Sequence, residues 1–198
     1  MIERSGIRII AASLILALIS GYLFPPLAAL FLIFAAFTVY FFRDLEREIG
    51  EGVVSPADGK IDYVKGNRLE IFMSPFDCHV NRAPVSGKVV KTRFLEGNTP
   101  PAFVRSKNVR TNEILIENED GIFRVLQMAG IFARRIVCYV KEGDYVRKGD
   151  RIGMIRFGSR VALEVPPGYR IIRGVGEKVK AGETVALKDE YSQAGKSG

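Results

Sequence analysis

A single uncharged run limits what this chain can fold into. From Ile9 to Phe42 no residue carries a charge, which is too long for a helix in a soluble core. As one straight helix the run would reach about 50 Å, more than the hydrocarbon core of a bilayer. Pro25-Pro26 divides it into two apolar halves, Ile9 to Phe24 and Leu27 to Phe42. Each half falls short of the roughly 20 residues that span comfortably. The reading that fits is a membrane-associating helical hairpin over residues 1–45, with Gly21 and the two prolines making its turn. Arg4 and Arg8 precede the run, and Arg43 and Arg47 follow it, so both ends are expected on the cytoplasmic side of the cell membrane. A shallow re-entrant hairpin satisfies the same pattern. A cleaved signal peptide fits less well, because the apolar run continues past any early cleavage point.

The charge balance adds a second limit. With 29 Lys and Arg against 22 Asp and Glu, the net charge is +7. That suits an acidic membrane surface or a phosphorylated substrate, and equally a plain basic surface. Trp is absent and no basic cluster is interleaved with aromatic residues, so no nucleic-acid partner is expected. Two scattered cysteines, Cys78 and Cys138, make no disulfide framework and fit a reducing compartment. One histidine and no Cys-x-x-Cys leave no metal site to expect.

Beyond the collar Arg43-Asp44-Leu45-Glu46-Arg47-Glu48 the pattern changes to short alternating segments separated by Gly, Asn or Asp. Residues 59–64, 68–73 and 113–117 read as half-buried strands. Gln127 to Val140 fits a strand or a short helix. Two motifs repeat. Gly143-Asp144-Tyr145-Val146-Arg147-Lys148-Gly149-Asp150 returns as Gly176-Glu177-Lys178-Val179-Lys180-Ala181-Gly182-Glu183, and Pro56-Ala57-Asp58-Gly59-Lys60-Ile61 as Pro84-Val85-Ser86-Gly87-Lys88-Val89. The first pattern resembles lipoyl- and biotinyl-type barrel-sandwich hybrids. Residues 46–198 are therefore expected to form a mainly β, barrel-sandwich-hybrid-like domain behind the N-terminal hairpin. The fold alone does not fix an activity.

The one Gly-Ser dipeptide, Gly158-Ser159, lies between the two glycine-valine repeats. Read alone it is a turn. Between strands, however, its backbone can be held under strain, and strain suits one reaction. A serine hydroxyl can attack the preceding carbonyl through a five-membered ring, turning the amide into an ester. Glycine before it leaves that carbonyl open and tolerates distortion. β-Elimination of the ester gives dehydroalanine, which hydrolyses to a pyruvoyl group.

The segments Val125–Ile136, Gly143-Asp144 and Gly153-Met154-Ile155-Arg156-Phe157-Gly158-Ser159-Arg160 resemble the short-form phosphatidylserine decarboxylases, a group that includes the archaetidylserine decarboxylases. The likeness runs from the apolar N-terminus through Ser55-Pro56-Ala57-Asp58-Gly59 and Ser74-Pro75-Phe76-Asp77-Cys78-His79-Val80-Asn81-Arg82 to Val165-Pro166. The resemblance implies a precursor cut into residues 1–158 and 159–198, two chains that stay associated. It implies a pyruvoyl cofactor made from Ser159, with neither metal nor pyridoxal phosphate, acting on a serine phospholipid at the membrane. His79 would be the base and Asp58 its orienting partner. Read alone, Asp58 is a turn residue and His79 a partly buried histidine satisfied by backbone. Larger family members carry a second histidine where this chain has Arg82. Cys78, on the opposite face from His79 if both lie on a strand, is expected in the core. Arg134-Arg135 fits a solvated pair or a phosphate contact. The lipid backbone, ester or ether, is left open. A membrane-anchored lipoyl-like adaptor without activity is the main alternative, but no sustained heptads run between Val89 and Gly143. A lipoyl or biotin carrier lacks its lysine context.

Overall fold

The computed structural model describes residues 2–100, 106, 108–130, 135–156 and 159–189. The chain divides into two compact units, Met1–Glu46 and Arg47–Gly198.

The first unit is two helices, α1 (Arg4–Leu23) and α2 (Pro25–Phe41), separated by Phe24 in an extended conformation. The sequence placed Pro25 and Pro26 in the turn, and the structure corrects this. They are the first residues of α2, where a missing N–H has no intrahelical acceptor to lose and the fixed φ is already helical. Gly21 lies inside α1. Because α1 extends back to Arg4 it has 20 residues, about 30 Å of helix. Its Gly6–Leu23 stretch is long and apolar enough to cross a membrane by length and composition, while α2 is shorter. The two ends meet: the Glu3 N–H donates to the Phe42 carbonyl at 2.8 Å, and Ile2 bridges Arg43 in antiparallel fashion.

The second unit is β throughout. Its strands are β1 (Val53–Val54), β2 (Gly59–Lys65), β3 (Arg68–Met73), β4 (Val80–Arg82), β5 (Gly87–Leu95), β6 (Thr111–Asn118), β7 (Gly121–Ala129) and β8 (Ile136–Cys138). They continue as β9 (Tyr145–Val146), β10 (Arg151–Ile155), β11 (Ser159–Glu164), β12 (Tyr169–Ile171), β13 (Lys178–Val179) and β14 (Thr184–Lys188). Within the ambiguous stretch from Gln127, the described residues form the end of β7 and all of β8, so the strand reading holds there. An antiparallel eight-stranded sheet, ordered β13-β2-β3-β11-β7-β6-β5-β9, curls into a half-barrel. Two three-stranded sheets, β1-β14-β12 and β4-β10-β8, accompany it.

The repeated motifs pair with each other. β13 closes one edge of the large sheet on Gly59 and Lys60, and β9 closes the other on Gly87 and Lys88. The bonds match position by position. Gly176 N–H donates to the Ile61 carbonyl and Gly143 N–H to the Val89 carbonyl; Gly182 N–H donates to Ser55 and Gly149 N–H to Ala83. Gly143 and Gly176 both have φ between +90° and +100°, a conformation that a side chain would strain. Each half also carries a bulge at the equivalent place, after Ile61 and after Val89. The unit is thus two similar halves meeting where β11 pairs with β7.

One face of the sheet packs the core, including Ile61, Leu69, Ile71, Val89, Ile114, Phe123, Val125, Val161 and Leu163. Alternation sends their neighbours to the other face, where charges form a ladder across the strands. Arg93 pairs with Glu113 (3.0 Å), and Glu113 also binds Arg124. Arg124 reaches Glu164 (3.1 Å), Glu164 binds Arg68 (2.7 Å), and Arg68 binds Glu70 (2.7 Å). Arg160 closes the series on Glu70 (3.1 Å) and Asp62 (2.6 Å).

The glycines separate backbone strain from packing. Gly143 has open space where a Cβ would go, whereas a Cβ on Gly59 would stand 2.2 Å from the Phe72 carbonyl oxygen. Gly143→Ala should cost about 1–2 kcal/mol from the positive φ alone, and Gly59→Ala about 3 kcal/mol or more as overpacking is added. Urea unfolding of the two variants checks the order; equal losses would mean that the close approach at Gly59 relaxes.

Candidate active site

Ser159, described by its backbone, is the first residue of β11; Gly158, the other half of the expected cleavage site, lies outside the described residues. Ser159 is paired on both sides, with Met73 of β3 and Ala129 of β7. Those neighbours belong to opposite halves, so Ser159 sits at the seam between them. The chain reaches it from β10, the centre of the small β4-β10-β8 sheet.

The β3–β4 loop runs beside that approach. The loop leaves Met73, the cross-strand partner of Ser159, and ends at His79, whose carbonyl accepts from the Ile155 N–H at 3.4 Å. Within the loop, Ser74 N–H donates to the Asp77 carboxylate (2.7 Å), and Asp77 N–H donates to the Ser74 carbonyl (3.0 Å). Two segments of the chain are therefore fastened to each other, Met73 to Ser159 and the His79 backbone to Ile155 at the end of β10.

His79 is fully buried, and its Nδ1 lies 2.8 Å from the Asp77 carbonyl oxygen. A carbonyl only accepts, so Nδ1 carries the proton, and in the neutral ring Nε2 keeps the lone pair. That is the tautomer a base needs. Cys78 is buried, as expected.

Asp58 stands elsewhere. Its Oδ1 accepts the Ala181 N–H at 2.9 Å, and its Oδ2 is paired with Arg47, both side chains being 11% exposed. The orienting group on the His79 ring is the Asp77 carbonyl, not the Asp58 carboxylate. The symmetry of the halves explains the Ala181 bond: Ser86, the counterpart of Asp58, accepts the Lys148 N–H at 2.8 Å, and Lys148 is the counterpart of Ala181. What Asp58 has beyond Ser86 is a charge, held by Arg47. One backbone bond links the two neighbourhoods through β4: the Arg82 N–H donates to the Pro56 carbonyl at 2.9 Å.

Arg82, at the position of the second family histidine, sends Nη1 to the Gly149 carbonyl at 2.7 Å. A guanidinium does not give up its proton in a protein, so Arg82 braces the repeat turn and does not replace an imidazole in proton transfer. Arg134 lies outside the described residues; Arg135 is exposed.

Sequence reasoning missed a chain of buried amides below the seam. Asn112 Nδ2 donates to Gln127 Oε1 (2.8 Å), and Gln127 Nε2 donates to Asn81 Oδ1 (2.7 Å). Asn81 Nδ2 faces the Met73 sulfur at 3.9 Å. All three amides are fully buried and tie β6, β7 and β4 together around the residues that flank Ser159. Gly153 makes the space, because a Cβ there would stand 2.7 Å from Gln127 Nε2. The signal was present in the sequence as polar residues at inward positions of otherwise apolar strands. Arg47 was visible too, but as a membrane-flanking charge. Among the described residues no group of three or more His, Cys, Asp and Glu side chains is placed to hold a metal ion.

Ser159 thus begins a doubly paired central strand, and the loop that ends at the buried His79 is bonded to Ile155 at the end of β10. The sequence profile of the family described as phosphatidylserine decarboxylase matches residues 34–187. A relative from Archaeoglobus fulgidus, named as an archaetidylserine decarboxylase proenzyme, is 72% identical over 193 residues, covering 98% of this chain and 99% of the relative. Phosphatidylserine decarboxylase proenzymes from Beijerinckia indica and Syntrophus aciditrophicus are 40% and 42% identical, covering 93% and 92% of this chain and 88% and 95% of their own lengths. A solved glucose permease IIA from Mycoplasma capricolum shares 21% identity and a TM-score of 0.42 over 68% of this chain and 92% of its own, too slight a likeness to bear on function. The chain belongs to the phosphatidylserine decarboxylase family, whose members are carboxy-lyases.

The comparison of Asp58 with Ser86 defines a test. Asp58→Ser removes the charge and leaves an oxygen for the Ala181 N–H; Asp58→Ala removes both. Serine should lower stability by about 1–2 kcal/mol less than alanine, because the buried donor keeps an acceptor. Both variants should slow self-cleavage on a denaturing gel. Cleavage of Asp58→Ser at the wild-type rate would reduce Asp58 to a turn residue.

Proposed function

We propose that this chain is a membrane-bound precursor that cleaves itself between Gly158 and Ser159, and that the mature enzyme removes CO2 from a serine phospholipid to leave the ethanolamine phospholipid. The observation that carries the reading is the position of Ser159 at the head of β11, with His79, in the Nδ1–H tautomer, bonded through its carbonyl to Ile155 at the end of the preceding strand. The pairing of β11 fits a pyruvoyl group at position 159: its register with β3 and β7 starts at Ser159, so a break before it leaves every cross-strand partner in place.

In the first step Ser159 Oγ adds to the Gly158 carbonyl carbon, and His79 Nε2 accepts the hydroxyl proton. The carbon–nitrogen bond breaks, the nitrogen takes a proton, and an ester replaces the amide. Loss of the residue 159 α-proton then expels the Gly158 carboxylate and leaves dehydroalanine. Water replaces the nitrogen, which departs as ammonia. The pyruvoyl group so formed supplies a carbonyl that joins the substrate amine and draws electrons from the departing carboxylate. In turnover, the role proposed for His79 is to carry a proton to the substrate α-carbon. Asp58 is proposed to assist cleavage through its charge, acting at a distance from the ring.

The hairpin is proposed as the anchor over residues 1–45, with the β domain on the cytoplasmic side. Support comes from the apolar length of α1, the meeting of the hairpin ends, and the arginines Arg4, Arg8 and Arg43 there. Arg47 is engaged by Asp58, so its charge serves the β domain first. The archaetidylserine name of the 72%-identical relative makes an ether lipid the first substrate to assay, with phosphatidylserine beside it.

Intact mass of the purified protein should give two chains, residues 1–158 and 159–198, the second without a free amino terminus. Ser159→Ala should stay one inert chain, and His79→Ala should cleave slowly or not at all. Active decarboxylase recovered as a single chain with an unmodified Ser159 would overturn the mechanism. A protein beginning at Glu46 should no longer float with lipid vesicles after a high-salt wash; if it still does, the hairpin is not the principal anchor.

The two chains have a pH-sensitive tie. Lys188 and Tyr169, on the small chain, both donate to Asp120 on the large one, Tyr169 at 2.6 Å. The Lys188 and then the Tyr169 bond hold the Asp120 carboxyl below its usual range. A depressed carboxylate stabilises the pairing above its unfolded pKa and loses that contribution as pH falls through the folded one. Release of the small chain on gel filtration should therefore rise as pH falls below about 4, whereas Asp120→Asn, with no carboxylate to titrate, should loosen the small chain at neutral pH and lack that pH dependence.

A further inference from the structure

Forming the pyruvoyl group removes the nitrogen of residue 159, and with it the backbone N–H through which that residue could donate to the sheet. A strand that starts there is a strand end, and strand ends fray. The first residue able to hold the new terminus by both N–H and side chain is Arg160, paired in register with Phe72 and Met128. Its side chain is 7% exposed and lies on the ladder face of the sheet. Nη1 contacts Asp62 at 2.6 Å and Glu70 at 3.1 Å, so one guanidinium reaches across β3 to β2. Glu70 is itself held by Arg68, which is held by Glu164, also of β11. The clamp thus begins and ends on the small chain and runs through the large one.

We propose that Arg160 is a positioning residue for the mature site: its Nη1, shared between Asp62 and Glu70, fixes the position of the pyruvoyl residue once the chain is cut. This rests on the reading of Ser159 given above. Before scission, continuity with residue 158 fixes residue 159 from the other side, so the requirement falls on turnover more than on cleavage. A reactive carbonyl displaced by about 1 Å loses on the order of a hundredfold in rate. The clamp acts on the protein's own group and not on substrate capture, so its loss should appear in kcat and not in KM.

The test compares Arg160→Met and Arg160→Lys with Arg93→Met. The Arg93 variant loses the same charge at the far end of the ladder, from a side chain 50% exposed that makes no contact with β11. Each full-length protein is purified after maturation and followed by denaturing gel, by amide hydrogen exchange of residues 160–164, and by kinetics on serine phospholipid vesicles. Arg160→Met should still yield two chains. Its β11 amides should exchange at least about tenfold faster, and kcat should fall by about tenfold or more with KM within about twofold. Lysine, lacking the guanidinium, should recover only part of this. Arg93→Met should match wild type in both exchange and kcat. Wild-type exchange and kcat in Arg160→Met would overturn the inference while leaving the decarboxylase reading intact. A wild-type protein that never splits would overturn the reading itself. If Arg160→Met does not accumulate, Asp62→Asn removes one partner, the 30%-exposed one, and should give the same kcat and exchange changes at smaller size; no change in either would count against the clamp.

Discussion

The proposed cut before Ser159 sets the requirement that shapes the β domain: one strand would lose its connection at its first residue and still have to stay in register. β11 meets it by lying in the middle of the large sheet, with six residues paired to β3 and six to β7. An edge strand would have one neighbour and a free side open to solvent. A central strand keeps two ladders when its connection is lost. Its inward residues, Val161 and Leu163, are in the core, and its outward residues, Arg160 and Glu164, join the ion ladder. Position in the sheet, and not any single bond, makes self-cleavage compatible with a folded product.

The near-symmetry of the two halves explains why the site is where it is. Each half closes its own edge with a glycine-valine motif, and each offers a strand to the seam, β11 from one side and β7 from the other. Symmetry would put equivalent groups on both halves. The proposed chemistry would need a difference, and one is visible at matched positions. Asp58 and Ser86 accept equivalent turn N–H groups, but only Asp58 brings a carboxylate, stabilised by Arg47 from outside the repeat. The structural duty is shared and the charge is not.

Much of this was legible in the sequence. Alternation marked β2, β3 and β6, because strands with one buried face repeat every two residues. The doubled motifs marked the two edges, although not that they pair with one another's flanking motifs. The hairpin was clear from apolar length, but its turn was misplaced. Pro25-Pro26 reads as a break, whereas its physical effect is to begin a helix one residue after another ends. The sequence named the candidate residues Ser159, His79 and Asp58 but not the groups they bond. The Asp77 carbonyl on His79 is a backbone group and leaves no trace in side-chain pattern. The ion ladder was hidden for another reason: each strand contributes one or two charges that look like an ordinary solvated face, and only cross-strand register aligns them.

The proposed cut would also change the thermodynamics of the last strands. Before it, β11 to β14 are held to the rest by covalent continuity. Afterwards their association would be bimolecular and would have to offset a loss of freedom of about 4–15 kcal/mol. Polar contacts alone are poorly suited to this, since exposed ion pairs such as Arg170–Asp189 contribute little. The core supplies the remainder. Val161, Leu163, Val165, Val179 and Val185 of the small chain are all buried among large-chain residues, and each buried aliphatic side chain contributes about 1.5–3 kcal/mol. Tyr169 adds an edge-to-face contact with Phe123 at 5.3 Å beside its bond to Asp120. The apolar face provides the affinity, while the ladder on the opposite face, directional and paired strand by strand, provides the register. A small chain bound by the core alone would be retained and yet free to slip, and a slip of one residue would move every core side chain to the charged face. The two faces of β11 would therefore do separate jobs that the proposed cut makes necessary at the same moment.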